Sequence, residues 1–129
     1  QIDMFKGKVE VLYNQINLSL TPVDHLFDGT LEYMQTNDIL PMAYSPLGSY
    51  FKEEDSKIRK VVDKLKNKYD CTDYQLLISW LLKHPSKVYP VIGTTKSDRI
   101  KSTLESLKIE IDLIDWFELL EASVGKRVP

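Results

Sequence analysis

Apolar runs and polar breaks alternate along this chain with two periods. Val9 to Leu12 is apolar around Glu10 and leads into Asn14-Gln15-Ile16, which predicts a strand with a polar end. Pro22 interrupts it. Phe27, Leu31 and Met34 fall at i, i+4 and i+7, one face of a helix that starts from Asp24 and ends at Asn37-Asp38. Ile39 to Ala43 reads as a second strand, with Pro41 placing its first residues outside the ladder. Glu53 to Tyr69 predicts a helix with Ile58, Val61, Val62, Leu65 and Tyr69 on one stripe and solvated lysines opposite. Thr72-Asp73-Tyr74-Gln75 is a capping box opening a helix that is apolar nearly all round, and His84-Pro85 stops it. Val88 to Ile92 is a third strand. A helix from about Ser97 turns Ile100, Leu104 and Leu107 inward. A last helix, capped by Asp112, carries Trp116, Phe117, Leu119 and Leu120 and ends at Gly125.

Strands alternating with helices imply βαβ units, a parallel sheet and right-handed crossovers. The short strands read as apolar on both faces, as in a sheet covered by helices. The 129 residues form one domain at most. A net charge of −2 gives no general attraction to nucleic acid or anionic membranes. Leu76 to Leu82 is far shorter than the ~20 apolar residues of a membrane span. Cys71 is the single cysteine, which excludes an internal disulfide and fits a reducing cytoplasm; Asp70 and Asp73 beside it argue for inert packing. The chain opens on Gln1 with no signal peptide and no initiator methionine, so it reads as processed, cut from a longer chain or numbered from an interior point.

Two loops carry the candidate chemistry. Tyr44-Ser45-Pro46-Leu47-Gly48 follows the second strand, and Gly93-Thr94-Thr95-Lys96-Ser97-Asp98-Arg99 follows the third. The latter runs from strand through glycine, hydroxyls and two cations into a helix. That order suits a phosphate, because N–H groups at a helix start point outward and the helix dipole is positive there. Each residue also has a plainer reading. Gln15 can be a polar strand end, Tyr44 a core aromatic, Ser45 to Gly48 an ordinary turn, and Lys96 and Arg99 solvated charges. His25 and His84 read as surface or capping residues.

Asn14-Gln15 after one strand, Ala43-Tyr44-Ser45-Pro46-Leu47-Gly48 after the next, and Pro90-Val91-Ile92-Gly93 with Lys96 and Arg99 after the third resemble the aldo-keto reductases. The resemblance runs along essentially the whole chain, and Val124 to Pro129 resembles the C-terminal end of bacterial members. It implies an α/β fold that is the C-terminal part, about three βα units, of a (β/α)8 TIM barrel, with residues 1–129 as a single partial domain. It implies an NADPH-dependent oxidoreductase reducing a small carbonyl substrate, an aldehyde or ketone, by hydride transfer with no metal. Gln15 would bond the nicotinamide carboxamide and Tyr44 would stack on its ring. Ser45, Leu47 and Gly48 would line the pyrophosphate. Gly93, Thr95, Lys96 and Arg99 would hold the adenosine end and its 2′-phosphate. Charged hydrogen bonds of roughly 1.5–3 kcal/mol each would set a preference of several tens-fold or more for NADPH over NADH.

Three departures from the family pattern stand out. Ser102 and Thr103 occupy places where many members read the adenine with Glu or Gln and Asn. Asn17 stands where many have Glu. The family's Asp, Tyr, Lys and His catalytic set belongs to earlier strands and has no counterpart from Gln1 onward, so catalytic residues are none and the chain alone is expected to be inactive. Exposed strand edges and uncovered barrel-interior side chains imply self-association or pairing with the missing N-terminal part. Two other readings stay open: a non-catalytic regulatory or binding module on the reductase fold, and a small doubly wound α/β domain holding an unrelated phosphorylated ligand.

Overall fold

A computed structural model describes residues 2–5, 7, 9–52 and 56–128. A short helix α1 (Ile2–Phe5) precedes strand β1 (Tyr13–Asn17). The strand therefore starts later than Val9. Val9 and Leu12 are exposed, and pairing begins where a partner exists: the Leu12 carbonyl accepts from Leu40 N–H at 2.9 Å. Gln15 lies inside the strand, not after it.

Strand β2 (Leu40–Tyr44) pairs in parallel with β1 and with the two-residue β3 (Tyr89–Pro90), giving the order β1-β2-β3. The third strand is shorter than Val88 to Ile92, although Val91 N–H still donates to the Ala43 carbonyl at 2.8 Å. Pro41 sits within the β2 ladder, against expectation. Leu40 donates toward β1 and Ala43 accepts from the β3 side. The N–H that Pro41 lacks would face β3, whose pairing with β2 starts only at Met42.

Register places Gln15 beside Met42, Ile16 beside Ala43 and Asn17 beside Tyr44. Ile16 and Ala43 are buried under the helices. The opposite face carries Tyr13, Gln15, Leu40, Tyr44 and Tyr89, all exposed. The sheet is thus covered on one face, not on both.

A 3-10 turn (Asp24–Leu26) and then α2 (Thr30–Thr36) follow β1. Gly29 at φ 84 separates them. Leu31 and Met34 are buried as expected, but Phe27 lies outside the helix and is exposed. Helix α3 (Lys57–Lys68) follows a 3-10 turn (Tyr50–Lys52) and is capped by Ser56, whose hydroxyl accepts from Arg59 N–H. Residues 53–55, where that helix was expected to begin, lie outside the described residues. Ile58, Val62 and Leu65 are buried. The lysine face is only partly solvated. Lys64 pairs with Glu118, and Lys68 reaches Asp115 at 2.6 Å and Asp112 at 3.3 Å, tying α3 to α6 (Leu113–Val124).

The capping box opens α4 (Asp73–Leu82), and residues 76–81 are all buried. Trp80 and Trp116 stack with centroids 5.0 Å apart, each indole N–H donating to the other's carbonyl at 3.1 and 2.9 Å. Helix α5 (Ser97–Ser106) reverses the expected orientation. Ile100, Leu104 and Leu107 are exposed, while the contact with α4 is polar. Tyr74 OH meets Thr103 Oγ1 at 2.6 Å, and Ser79 Oγ donates to the Ser106 carbonyl at 2.9 Å. Asp112 is the N-cap of α6 but makes no side-chain cap bond. Gly125 ends α6 at φ 80, its N–H donating to Glu121 at 2.8 Å.

Candidate functional site

Three parallel strands in sequence order put the ends of β1, β2 and β3 along one sheet edge. That edge carries the two candidate loops and the loop after β1. Gln15 and Tyr44 point to the same exposed face, Tyr44 at the last position of β2 and Gln15 two residues back on β1. Among the described residues, neither the Gln15 amide nor the Tyr44 hydroxyl has a hydrogen-bond partner.

The loop after β2 is a tight turn, with Gly48 N–H donating to the Ser45 carbonyl at 2.8 Å. Ser45 is exposed and held at φ 49, a left-handed conformation that non-glycine residues rarely adopt. Leu47 is half-buried and packs against the core. Gly48 has a structural reason to be glycine. At φ 52, a Cβ would lie 1.9 Å from the Thr21 carbonyl oxygen and 2.4 Å from Ser19 Oγ. Its backbone presses on the loop after β1, and Ser49 N–H donates to the Thr21 carbonyl at 3.1 Å.

Between these loops lies an open cleft of about 1000 Å³, lined in part by Asn17, Thr21, Ser45, Gly48, Ser49 and Lys52, and also by the acidic residues Asp24 and Asp28. Thr21, Ser49 and Lys52 were not singled out in the sequence; their only signal is adjacency to the candidate turns. Asn17 was noted only as a departure. Its Oδ1 is buried without a hydrogen-bond partner among the described residues.

The third loop is open. Gly93 is exposed, a Cβ there would meet nothing within 4 Å, and its φ is not left-handed. Nothing in the backbone requires glycine at 93, whereas it does at 48. Thr95 is exposed, and Thr94 Oγ1 accepts from Lys96 N–H at 3.2 Å. Lys96 is the N-cap of α5 and Arg99 lies in its first turn, so both cations stand where the helix dipole favours an anion. Asp98, in the same turn, opposes them. Both cations are exposed, and neither has a carboxylate partner among the described residues. Thr103 turns toward α4, its Oγ1 meeting Tyr74 OH at 2.6 Å while donating to the Arg99 carbonyl at 2.8 Å; at Ser102 the backbone carbonyl accepts from the Gln75 amide at 3.3 Å.

Asp28, which also lines the cleft, is engaged by His25 and Thr30, and Cys71 packs against the core. His25 Nδ1 meets Asp28 at 2.8 Å, and the Thr30 hydrogen bonds above all hold the Asp28 carboxyl below its usual range. Burial, then the charges of Asp70 and Asp73, push the Cys71 thiol up, which keeps it unreactive. Among the described residues no three His, Cys, Asp or Glu side chains form a metal-sized group, and no helix is long and apolar enough to cross a membrane.

A sequence model described as the aldo/keto reductase family matches residues 1–123. The chain is 35% identical over 117 residues to a 6-dehydroglucose reductase of Agrobacterium fabrum, covering 89% of this chain and 39% of that protein. It is 30% identical over 126 residues to an uncharacterized oxidoreductase of Bacillus subtilis, covering 93% and 42%. It thus spans about two fifths of the length of these curated relatives. Among solved structures, a thermostable aldo-keto reductase with the inhibitor epalrestat superimposes with a TM-score of 0.81 at 20% identity, over 94% of this chain and 43% of that one. An aldo-keto reductase of Bombyx mori in complex with NADP gives a TM-score of 0.76 at 19% identity, over 95% and 41%.

Proposed function

Because the chain belongs to the aldo/keto reductase family, we propose that it is the cofactor-gripping, C-terminal part of an NADPH-dependent reductase barrel. Its share of the relatives' length, 39% and 42%, is close to that of three units among eight. The observation that carries the reading is the shared edge: three parallel strand ends, side by side and in chain order, bring Gln15, Tyr44, Ser45 and the Gly93–Arg99 turn to one rim.

The donor set suits a nicotinamide dinucleotide phosphate. Gln15 offers an unpaired amide for the carboxamide, and Tyr44 offers an exposed ring beside it. Ser45, the backbone around Leu47 and Gly48, and the flanking Thr21, Ser49 and Lys52 border a cleft for the pyrophosphate. Lys96 and Arg99, without internal carboxylate partners among the described residues, stand at a helix start beside the open Gly93 and Thr95 and take the adenosine 2′-phosphate. The Thr103 hydroxyl is committed to Tyr74 on α4 and leaves the adenine to other contacts. A nicotinamide held at this rim would supply a hydride to an aldehyde or ketone. The residues of this chain orient it, and the proton-donating group comes from the rest of the barrel, so this chain by itself binds without turning over. Carbonyl turnover separates this reading from a non-catalytic module on the same fold.

Titrating the chain with NADPH and following nicotinamide fluorescence tests the proposal. Saturable binding is expected, and Gln15→Ala should weaken it about fivefold, the worth of one neutral hydrogen bond. Absence of saturable binding, or binding indifferent to Gln15→Ala and Tyr44→Ala alike, would overturn it.

A further inference from the structure

Away from the sheet edge, a second cavity of about 300 Å³ lies between the 3-10 turn after β1, the end of α4 and the face of α6. None of the nine candidate cofactor residues lines it. Its walls are Leu26, Leu120, Val128 and the rings of Trp116 and Phe117, which meet edge to face at 5.1 Å. Its volume is at the lower end of the range for small-molecule pockets, about 300–1,000 Å³.

The polar chemistry of this cavity is one-sided. The Trp116 indole N–H is already given to the Trp80 carbonyl. Among the described residues, Lys83 and His84 are the other polar side chains of the lining, and no carboxylate belongs to it. Ser86 N–H donates to His84 Nδ1 at 3.1 Å, so the ring proton of the neutral imidazole sits on Nε2. Burial holds the His84 imidazole below its usual pKa range, against the pull of Glu32, which keeps that tautomer at neutral pH. Neither the His84 Nε2–H nor the Lys83 ammonium has a partner among the described residues. An apolar, aromatic-walled chamber with two unpaired donors and one positive charge complements an anionic acceptor on an apolar body.

We infer that this cavity is a binding site for small apolar carboxylates, with the aryl or alkyl body against Trp116, Phe117 and Leu120 and the carboxylate at His84 Nε2 and Lys83. The volume accommodates a body of roughly ten non-hydrogen atoms. A ligand of that size binds weakly, with a Kd of about 1 mM or tighter.

The probe is 4-phenylbutyrate, titrated into the isotope-labelled chain and followed by ¹H–¹⁵N spectra. Saturable shifts are expected at the Trp116 indole and at amides of residues 83–86 and 116–120. The neutral 4-phenylbutan-1-ol should bind more weakly. Lys83→Ala, an exposed position that leaves the fold intact, should weaken the carboxylate about threefold and leave the alcohol unchanged. His84→Phe, which keeps an aromatic ring there but removes the Nε2–H donor together with the Nδ1 that accepts from Ser86 N–H, should weaken the carboxylate about tenfold. The inference is overturned by no saturable shift well above 1 mM, by shifts confined to the rim around Tyr44, or by equal affinities for acid and alcohol that ignore Lys83→Ala. NADPH takes no part in this titration, so its outcome is separate from the cofactor proposal.

Discussion

Gly48→Ala is the sharpest structural perturbation available at the candidate rim. The new methyl group would sit 1.9 Å from the Thr21 carbonyl oxygen and 2.7 Å from its carbon, both backbone atoms that cannot swing aside. The residue also holds φ 52, where an L side chain costs about 1–2 kcal/mol. Relieving the overlap means parting the loops after β1 and β2, which gives up the Ser49 N–H bond to Thr21 and adds about 1 kcal/mol. The sum is about 2–3 kcal/mol of lost stability. In urea this should lower the unfolding midpoint by about 1–2 M. The matched control is Gly93→Ala, where the methyl meets nothing within 4 Å and φ is not left-handed. That variant should stay within about 0.5 kcal/mol of the parent or gain slightly. A Gly48→Ala midpoint indistinguishable from that of Gly93→Ala would refute the claim that the two loops are clamped backbone to backbone.

Burial pushes the Asp115 carboxyl up, but hydrogen bonds from Lys68 and Tyr69 outweigh it and hold its pKa below the ordinary carboxylate value. A lowered native pKa adds stability that is present above the unfolded value, about 3.9, and fades as pH falls below it; chemical denaturation from pH 6 to 3 should show this slope, and Asp115→Asn should flatten it while costing about 1 kcal/mol at neutral pH. Trp116→Phe removes the indole donor to the Trp80 carbonyl and part of a 5.0 Å stack, and should lower stability by about 1–3 kcal/mol in thermal or urea unfolding. Leu104→Glu with Leu107→Glu adds charge to the exposed stripe of α5; if that stripe and the open sheet face serve as an interface to a second copy or to the rest of the barrel, sedimentation should show reduced self-association, and an unchanged association state would count against it.

The parts of the fold readable in the sequence are those set by neighbours a few residues apart. The Thr72–Gln75 capping box, the helix expected over Glu53 to Tyr69 and observed over Lys57–Lys68, and the glycine stop at 125 all follow from local hydrogen bonding and spacing. Alternation of strands and helices likewise pointed to the parallel sheet. What escaped depends on partners distant in the chain. The stripe Ile100, Leu104, Leu107 has helical spacing, but spacing does not say whether an apolar partner faces it; α5 instead meets α4 through Thr103, Ser102 and Ser106. The lysines of α3 read as solvated because Asp115 and Glu118 lie about 50 positions on. At the candidate rim, the motifs located Gln15, Tyr44 and the Gly93–Arg99 turn. They did not reveal that Gly48 is dictated by Thr21, 27 positions earlier, or that Asn17 carries an unpaired buried oxygen.

The measurement closest to the centre of this account compares NADPH with NADH on the chain and on its Lys96→Ala/Arg99→Ala variant. The two cofactors differ by one phosphate, so their affinity ratio isolates what the α5 start contributes. A parent ratio of about tenfold or more in favour of NADPH is expected, falling toward unity in the variant, with NADH binding little changed. A ratio near one in the parent, or a preference that survives loss of both cations, would contradict it.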